Sequence, residues 1–217
     1  MTGTPTSIGL DTAGMAKRLA DDIHDAWYVN LGVGLPTEVA NYVTEEREVV
    51  FHSENGILGM GPTPGDNEID PWLVNAGKKP VTLRPGASLF HHADSFAMIR
   101  GGHIDLCVLG GYEVSQAGDL ANWTTPSGDL MPAVGGAMDL AVGAKRTWIL
   151  MRHTTKDGQP KLVETCTYPL TAPAAVDRVY TELGVFEIRD GGLHVVSLSE
   201  GLDLETVQAR TGATLHA

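Results

Sequence analysis

Cysteine is scarce in this chain of 217 residues, which has only Cys107 and Cys166. They form no Cys-x-x-Cys pair, so neither a disulfide framework nor a thiolate metal or redox site is expected. Both lie in apolar, strand-like runs and read as buried free thiols. Positive charge is also sparse. Fifteen Lys and Arg stand against 27 Asp and Glu, a formal net charge of −12. That argues against nucleic acid and against an anionic membrane surface, since both need basic fields. A phosphate-bearing small ligand stays open, because helix N-termini or local basic groups bind phosphate within acidic proteins. No apolar run reaches spanning length, and Met1-Thr2-Gly3-Thr4-Pro5 lacks a basic stretch followed by an apolar one. A cytoplasmic chain without membrane contact is expected. No H-E-x-x-H, G-x-x-x-x-G-K or G-x-S-x-G occurs either, so zincin, P-loop and nucleophile-elbow readings have no support.

Glycine (26) and proline (12) are plentiful, so many tight turns are expected. Hydrophobic residues at 42% and charged residues at 19% are ordinary for a globular protein. Residues 10 to 25 read as an amphipathic helix, with Asp11 or Thr12 as cap and Met15, Leu19 and Ile23 on one face. Trp27–Leu31 is a strand, Gly32-Val33-Gly34-Leu35-Pro36 a turn, and Thr37–Val43 a helix with Pro36 near its start. The run to His52 is the next strand. This βαβ pattern predicts an open, mostly parallel sheet with flanking helices, an α/β fold. Helices are further expected at His92–Arg100, from Ala137, and over Leu202–Arg210 with Asp203 as a candidate cap. Strands are expected at Ile104–Gly110, Thr147–Met151, Val163–Thr167, Gly184–Arg189 and Leu193–Leu198. Gly61–Ala87, rich in proline, and Gly118–Gly136 read as long loops, which in compact domains serve function or pack on a partner. With no repeat or linker, one domain over residues 1–217 is expected, with roughly 1–9 as a flexible tail.

The segment Ser53-Glu54-Asn55-Gly56 carries the most chemistry. An apolar strand runs into it and glycines follow, so the Glu54 carboxylate is presented at a strand end, where open α/β sheets bind ligands. It can serve as base, acid, nucleophile or metal ligand, or merely as one half of an ion pair. Leu31-Gly32-Val33-Gly34 suits either close approach of an anion to backbone N–H groups or a tight βα turn. Gly135-Gly136 before a helix offers either an oxyanion hole from main-chain amides or a plain helix entry. Lys145-Arg146 and Arg152–Lys156 can hold phosphate, or form a solvated face. His52 and His91-His92 lack metal-ligand spacing, and no metal is expected. His52 is read as packing against or orienting the loop that bears Glu54. Ser53 has no evident histidine partner and is not favoured as a nucleophile.

Several segments, taken in order, resemble the B subunit of the family I 3-oxoacid coenzyme A transferases. They are Tyr28–Thr37, His52-Ser53-Glu54-Asn55-Gly56, Asn75-Ala76-Gly77-Lys78, Asp94–His103, Gly118–Trp123, Gly135–Leu140 and Tyr168-Pro169-Leu170-Thr171. The likeness runs from about residue 10 to the C-terminus. It implies the sugar-phosphate isomerase-like fold of that family and makes Glu54 the catalytic glutamate, acylated and then converted to a glutamyl thioester. It further implies that Gly32, Gly34, Asn55 and Gly56 border the coenzyme A or acyl site. Asn122, Gly136 and Lys156 fall in segments similar to coenzyme A-contacting loops. Gly135 and Gly136 amides would meet the oxyanion. No cofactor is implied, since the coenzyme A thioester is a substrate.

The same resemblance implies a companion A subunit, in an A2B2 assembly, with the B subunit inactive by itself. Succinyl-coenzyme A is the implied donor. His91-His92-Ala93-Asp94 and Pro132–Gly136 followed by Asp139–Arg146 resemble the 3-oxoadipate enzymes and tilt the acceptor that way, over acetoacetate. A non-catalytic ligand-binding domain of the same fold and an acyl-coenzyme A hydrolase are the alternatives.

Overall fold

The computed structural model describes residues 8–125 and 133–217. Residues 1–7 of the tail expected over about 1–9, and Pro132 of the second long loop, lie outside the described residues. Gly9 and Leu10 are already held: the Leu10 N–H donates to Glu182 O at 2.9 Å.

The chain opens with helix α1 (Thr12–Asp22), capped by Asp11, whose carboxylate accepts from the Gly14 N–H. Strand β1 (Tyr28–Leu31) follows, then a 3-10 helix (Leu35–Tyr42) in place of the expected α-helix, and then β2 (Val50–Ser53). Next come β3 (Ile57–Met60), β4 (Leu83–Leu89), α2 (His92–Arg100) and β5 (Leu106–Leu109). After β6 (Glu113–Ser115) and β7 (Leu120–Ala121), the chain forms α3 (Ala137–Gly143), β8 (Thr147–Leu150) and β9 (Leu162–Val163). It closes with β10 (Arg178–Tyr180), β11 (Gly184–Arg189), β12 (Gly192–Leu198), α4 (Leu204–Gln208) and β13 (Leu215–His216).

Ten strands form one sheet in the order β13-β12-β11-β10-β8-β5-β1-β2-β3-β4. Its centre, β10-β8-β5-β1-β2, is parallel throughout. Antiparallel strands flank it: β3 and β4 on one side, β11 and β12 on the other. The expected mostly parallel α/β sheet is thus present as a parallel core with mixed margins.

The central strands are buried on both faces, which is why they read as continuous apolar runs. Side chains alternate: Leu106, Val108, Trp148 and Leu150 join the core under α1, with Met15 and Leu19. Cys107, Leu109 and Ile149 join the opposite core with Ile99 of α2, Leu140 of α3 and Val207 of α4. A small sheet, β7-β6-β9, lies on that second side.

Further expectations change. The stretch 61–87 is not loop throughout. It contains the start of β4 and an isolated bridge between Val74 and Pro80. An edge strand tolerates Pro85 and Gly86, which mask it in the sequence. The expected strand Val163–Thr167 is only β9, and Cys166 lies beyond it, half-buried, with its thiol pushed up to about 12 chiefly by burial. Cys107 alone is a fully buried strand thiol. The short strands β6, β7, β10 and β13 add to those expected from the sequence.

Candidate active site

Strand β1 pairs with β2 on one side and β5 on the other. After β2 the chain adds β3 and β4 outward, then returns across β1 to begin β5. The sheet therefore has a topological switch between β1 and β5, and the loops leaving their carboxyl ends diverge to leave a crevice. A cleft of about 440 Å³ lies there. Gly32 and Val33 after β1 line it, as do Gly110 and Gly111 after β5 and Met151 after β8.

Glu54 also lines this cleft, from the end of β2. Ser53 and Ile57 pair across a hairpin, so Glu54-Asn55-Gly56 is a three-residue loop. The Gly56 N–H closes the turn on Ser53 O at 3.0 Å, and Gly56 adopts φ +113. A Cβ there would stand 2.1 Å from Phe90 O, so the residue must be glycine. Asn55 does not line the cleft; its Nδ2–H donates to Val74 O at 2.8 Å. Ser53 Oγ accepts from the Ala76 N–H at 3.0 Å. The two bonds tie the segment around Ala76, itself a cleft-lining residue, to the turn bearing Glu54.

Behind Glu54 runs a buried polar chain. Burial lowers the His52 pKa to about 4, so its imidazole is neutral. Asn30 Nδ2–H donates to His52 Nδ1 at 2.8 Å. That fixes the proton on Nε2, which meets Ser95 Oγ of α2 at 2.7 Å. Ser95 in turn reaches Ser53 O at 3.5 Å. His52 orients the strand end, in keeping with its place in the sequence. Among the described residues, no group of three His, Cys, Asp or Glu is placed to hold a metal ion.

The Glu54 pKa is raised, chiefly by burial. His92 at the start of α2 opposes the rise and Asp139 of α3 adds to it. Asp139 is itself paired to Arg100 at 2.7 Å. Gly136 completes the enclosure. A Cβ there would lie 2.9 Å from Glu54 Oε2 and 2.7 Å from Phe96 Cζ.

Of the residues singled out from the sequence, the cleft brings together Glu54, Gly32, Asn122 and Gly136. The Asn122 side chain is anchored, donating to Gly110 O at 3.0 Å and accepting from Thr171 Oγ1 at 2.6 Å. Gly34 (φ +93) and Gly135 (φ +61) are turn residues next to the lining, not part of it. Lys156 is exposed on the turn before Pro160 and does not line the cleft. Lys161 does. Sequence reasoning misses Lys161, Ala76 and the place of Asp139 in the Glu54 environment. It also treats His91-His92 only as metal ligands or an acceptor marker, whereas His92 bears on the Glu54 carboxylate.

A strand-end carboxylate beside a glycine-walled crevice fits nucleophilic chemistry on an activated acyl group. Similarity to known proteins decides the family. The coenzyme A transferase family model matches residues 12–209. The chain belongs to the coenzyme A transferase family.

It is 52% identical over 201 residues to the B subunit of the 3-oxoadipate CoA-transferase of Acinetobacter baylyi, covering 93% of each chain. It is 50% identical over 197 residues to the B subunit of the succinyl-CoA:3-ketoacid coenzyme A transferase of Helicobacter pylori, covering 91% of this chain and 94% of that one. The resemblance to B subunits read from the sequence is thus borne out. An acyl-CoA transferase structure from Escherichia coli O157:H7 superposes with a TM-score of 0.75 at 19% identity. That match covers 99% of this chain but 43% of the longer one, and it supports the fold alone. No helix among the described residues of this coenzyme A transferase is long and apolar enough to cross a membrane.

Proposed function

We propose that this chain is the B subunit of a 3-oxoacid coenzyme A transferase, and that Glu54 carries the reaction as a covalent nucleophile. The observation that carries the reading is the Glu54 carboxylate, partly withdrawn from water at the switch-point cleft. A carboxylate with weakened hydration attacks a thioester carbonyl more readily than a solvated one. Attack forms a C–O bond to the acyl carbon and expels the coenzyme A thiolate, leaving an acyl–glutamyl anhydride. The thiolate then attacks the Glu54 carbonyl, releases the first acid and leaves a glutamyl thioester. A second acid reverses both steps and departs as the new thioester. The thioester's energy is conserved between the two acids, so no ATP is consumed. Each addition puts negative charge on a carbonyl oxygen, and the amides of the Gly135-Gly136 turn are the candidate donors.

Succinyl-coenzyme A is the proposed donor and 3-oxoadipate the favoured acceptor over acetoacetate. The higher identity to a 3-oxoadipate enzyme, 52% against 50%, points the same way by a narrow margin. The cleft is open to a companion. Val33 at its wall is 63% exposed and Tyr112 is 42% exposed, apolar surface that an A subunit would cover. An A2B2 complex of single-domain B subunits is the proposed assembly, in the cytoplasm.

The test is Glu54→Gln in the complex with the A subunit. Transfer should fall by at least about three orders of magnitude, as expected when a nucleophile is removed. The thermal midpoint should stay level or rise, because burial disfavours the charged side chain in the folded state. Normal turnover by this variant would eliminate Glu54 as nucleophile. With acyl-coenzyme A and no acceptor, the wild-type complex should release about one equivalent of the free acid per site, keep the coenzyme as the Glu54 thioester, and stop. Sustained release would mark a hydrolase.

A further inference from the structure

The wall of the cleft is largely apolar, with Leu31, Leu35, Leu140 and Met151 among its side chains. Its one carboxylate among the described residues, Glu54, is the proposed nucleophile. A substrate that brings a second carboxylate into such a space must find a cation there, because an unpaired charge is strongly disfavoured away from water. Among the described lining residues only Lys161 carries an amine or guanidinium.

We propose that Lys161 is a specificity-determining residue whose ammonium pairs with the free carboxylate of a dicarboxylic acyl group while the thioester end meets Glu54. The assignment rests on the transferase reading and adds the part of the substrate class that reading leaves open.

Lys161 is held by its backbone and left free at its tip. Its N–H donates to His153 O at 3.0 Å, and its carbonyl accepts from the Val114 N–H of β6 at 2.9 Å. Its ammonium has no hydrogen bond and no salt bridge among the described residues. Two neighbouring groups and burial bear on it. Glu182 is the carboxylate that raises its pKa, but Glu182 Oε2 already accepts from the His153 N–H at 2.9 Å. His153, next to it, is neutral, its pKa brought to about 4 chiefly by burial, with Arg210 and Lys161 adding to the shift. Burial is the dominant influence on Lys161 itself and lowers its pKa. An unpaired, partly desolvated amine in an otherwise apolar cleft is poorly compensated until an anion arrives. By contrast, the other nearby lysine of this region, Lys156, is exposed and outside the cleft.

An anion at Lys161 has two candidate sources, a carboxylate on the acyl group or a phosphate of coenzyme A. Comparing two acyl-coenzyme A donors that share the coenzyme separates them. We expect Lys161→Gln, co-purified with the A subunit, to lose about 10- to 100-fold in kcat/KM for succinyl-coenzyme A, mainly through KM, as for a lost charge-assisted hydrogen bond. For acetoacetyl-coenzyme A, which has no free carboxylate, the change should stay within about threefold. Lys161→Arg should recover part of the loss on succinyl-coenzyme A. In the wild type, an alkaline limb for succinyl-coenzyme A should fall below the ordinary lysine range, and be absent with acetoacetyl-coenzyme A and in Lys161→Gln. Equal losses on both donors would place Lys161 at the coenzyme or in the fold and overturn the proposal, as would no loss on either. A wild-type complex that transfers neither donor's coenzyme A would instead overturn the underlying transferase reading, whatever Lys161 does.

Discussion

Gly136 sets how closely α3 can approach Glu54. A methyl group at this position would press on Glu54 Oε2 at 2.9 Å and on Phe96 Cζ at 2.7 Å. Both contacts are shorter than van der Waals separation, and the Phe96 ring is itself flanked by His92 and Arg100. The carboxylate is the more mobile partner, so it would yield. Gly136→Ala should therefore lower kcat by about 10- to 100-fold, the order expected when a reacting group shifts by around 1 Å. The fold should persist, since φ at Gly136 is −76 and suits any residue. Gly135→Ala is the matched control. It stands at φ +61 with nothing within 4 Å of an added Cβ, so it should cost about 1 kcal/mol of stability and leave Glu54 in place. Measuring kcat and the urea midpoint of both variants separates the two effects. If the two glycines respond alike, Gly136 acts through helix entry and not through contact with Glu54.

At the scale of elements, the β2–β3 hairpin aims the carboxylate, and its geometry depends on Gly56. Replacing Gly56 by alanine forces φ +113 on a residue with a Cβ and drives that Cβ to 2.1 Å from Phe90 O. Backbone strain alone should cost about 1–3 kcal/mol, and the clash with the chain entering α2 adds to it. Urea unfolding of Gly56→Ala should show a lower midpoint, with transfer activity lost more than stability. A midpoint equal to wild type would mean the hairpin has another way to close. This turn is legible in the sequence because an apolar strand runs into the Glu54 carboxylate and Gly56 follows within two residues. Helix α2 is legible to the residue, His92–Arg100, because a proline- and glycine-rich approach precedes it and Gly101-Gly102 ends it. Strand β4 is not: most of Leu83–Leu89 is exposed, so it lacks the buried alternation that marks an inner strand. Strands β6, β7, β9, β10 and β13, of two or three residues each, fall below the length at which periodicity can be read. Lys161 is hidden for the same reason. The parallel pairing of β6 with β9, which carries it to the cleft, joins segments about fifty residues apart and leaves no local pattern.

On the scale of the whole molecule, two buried histidines sit in opposite halves of the ten-stranded sheet. His52 joins β1, β2 and α2 through Asn30 and Ser95. His153 meets Thr181 Oγ1 at 3.0 Å and Thr211 Oγ1 at 2.9 Å, next to the C-terminal strands. Both have pKa values of about 4 in the folded chain, well below the 6.5 of a free histidine. Between these values the unfolded chain binds protons that the folded chain refuses. Stability therefore falls as the pH drops from about 6.5 to about 4, by up to about 1.4 kcal/mol per pH unit for each histidine, and levels off below. Glu54 and Asp177 act in the opposite sense, since burial raises both in the folded state and protonation then favours folding. The histidine contribution is accordingly read from differences in slope between variants. In urea titrations from pH 7 to pH 4.5, His52→Gln and His153→Gln should each be less stable at pH 7, through lost buried hydrogen bonds, yet each should show a shallower dependence on pH. If the sheet unfolds as one unit, either substitution flattens the same single transition seen by tryptophan fluorescence and by far-UV dichroism. If the slope is unchanged in both variants, the imidazoles are not the protonation sites. If only one probe responds to each, the sheet's two halves open separately, and the Glu54 hairpin belongs to the half that His52 protects.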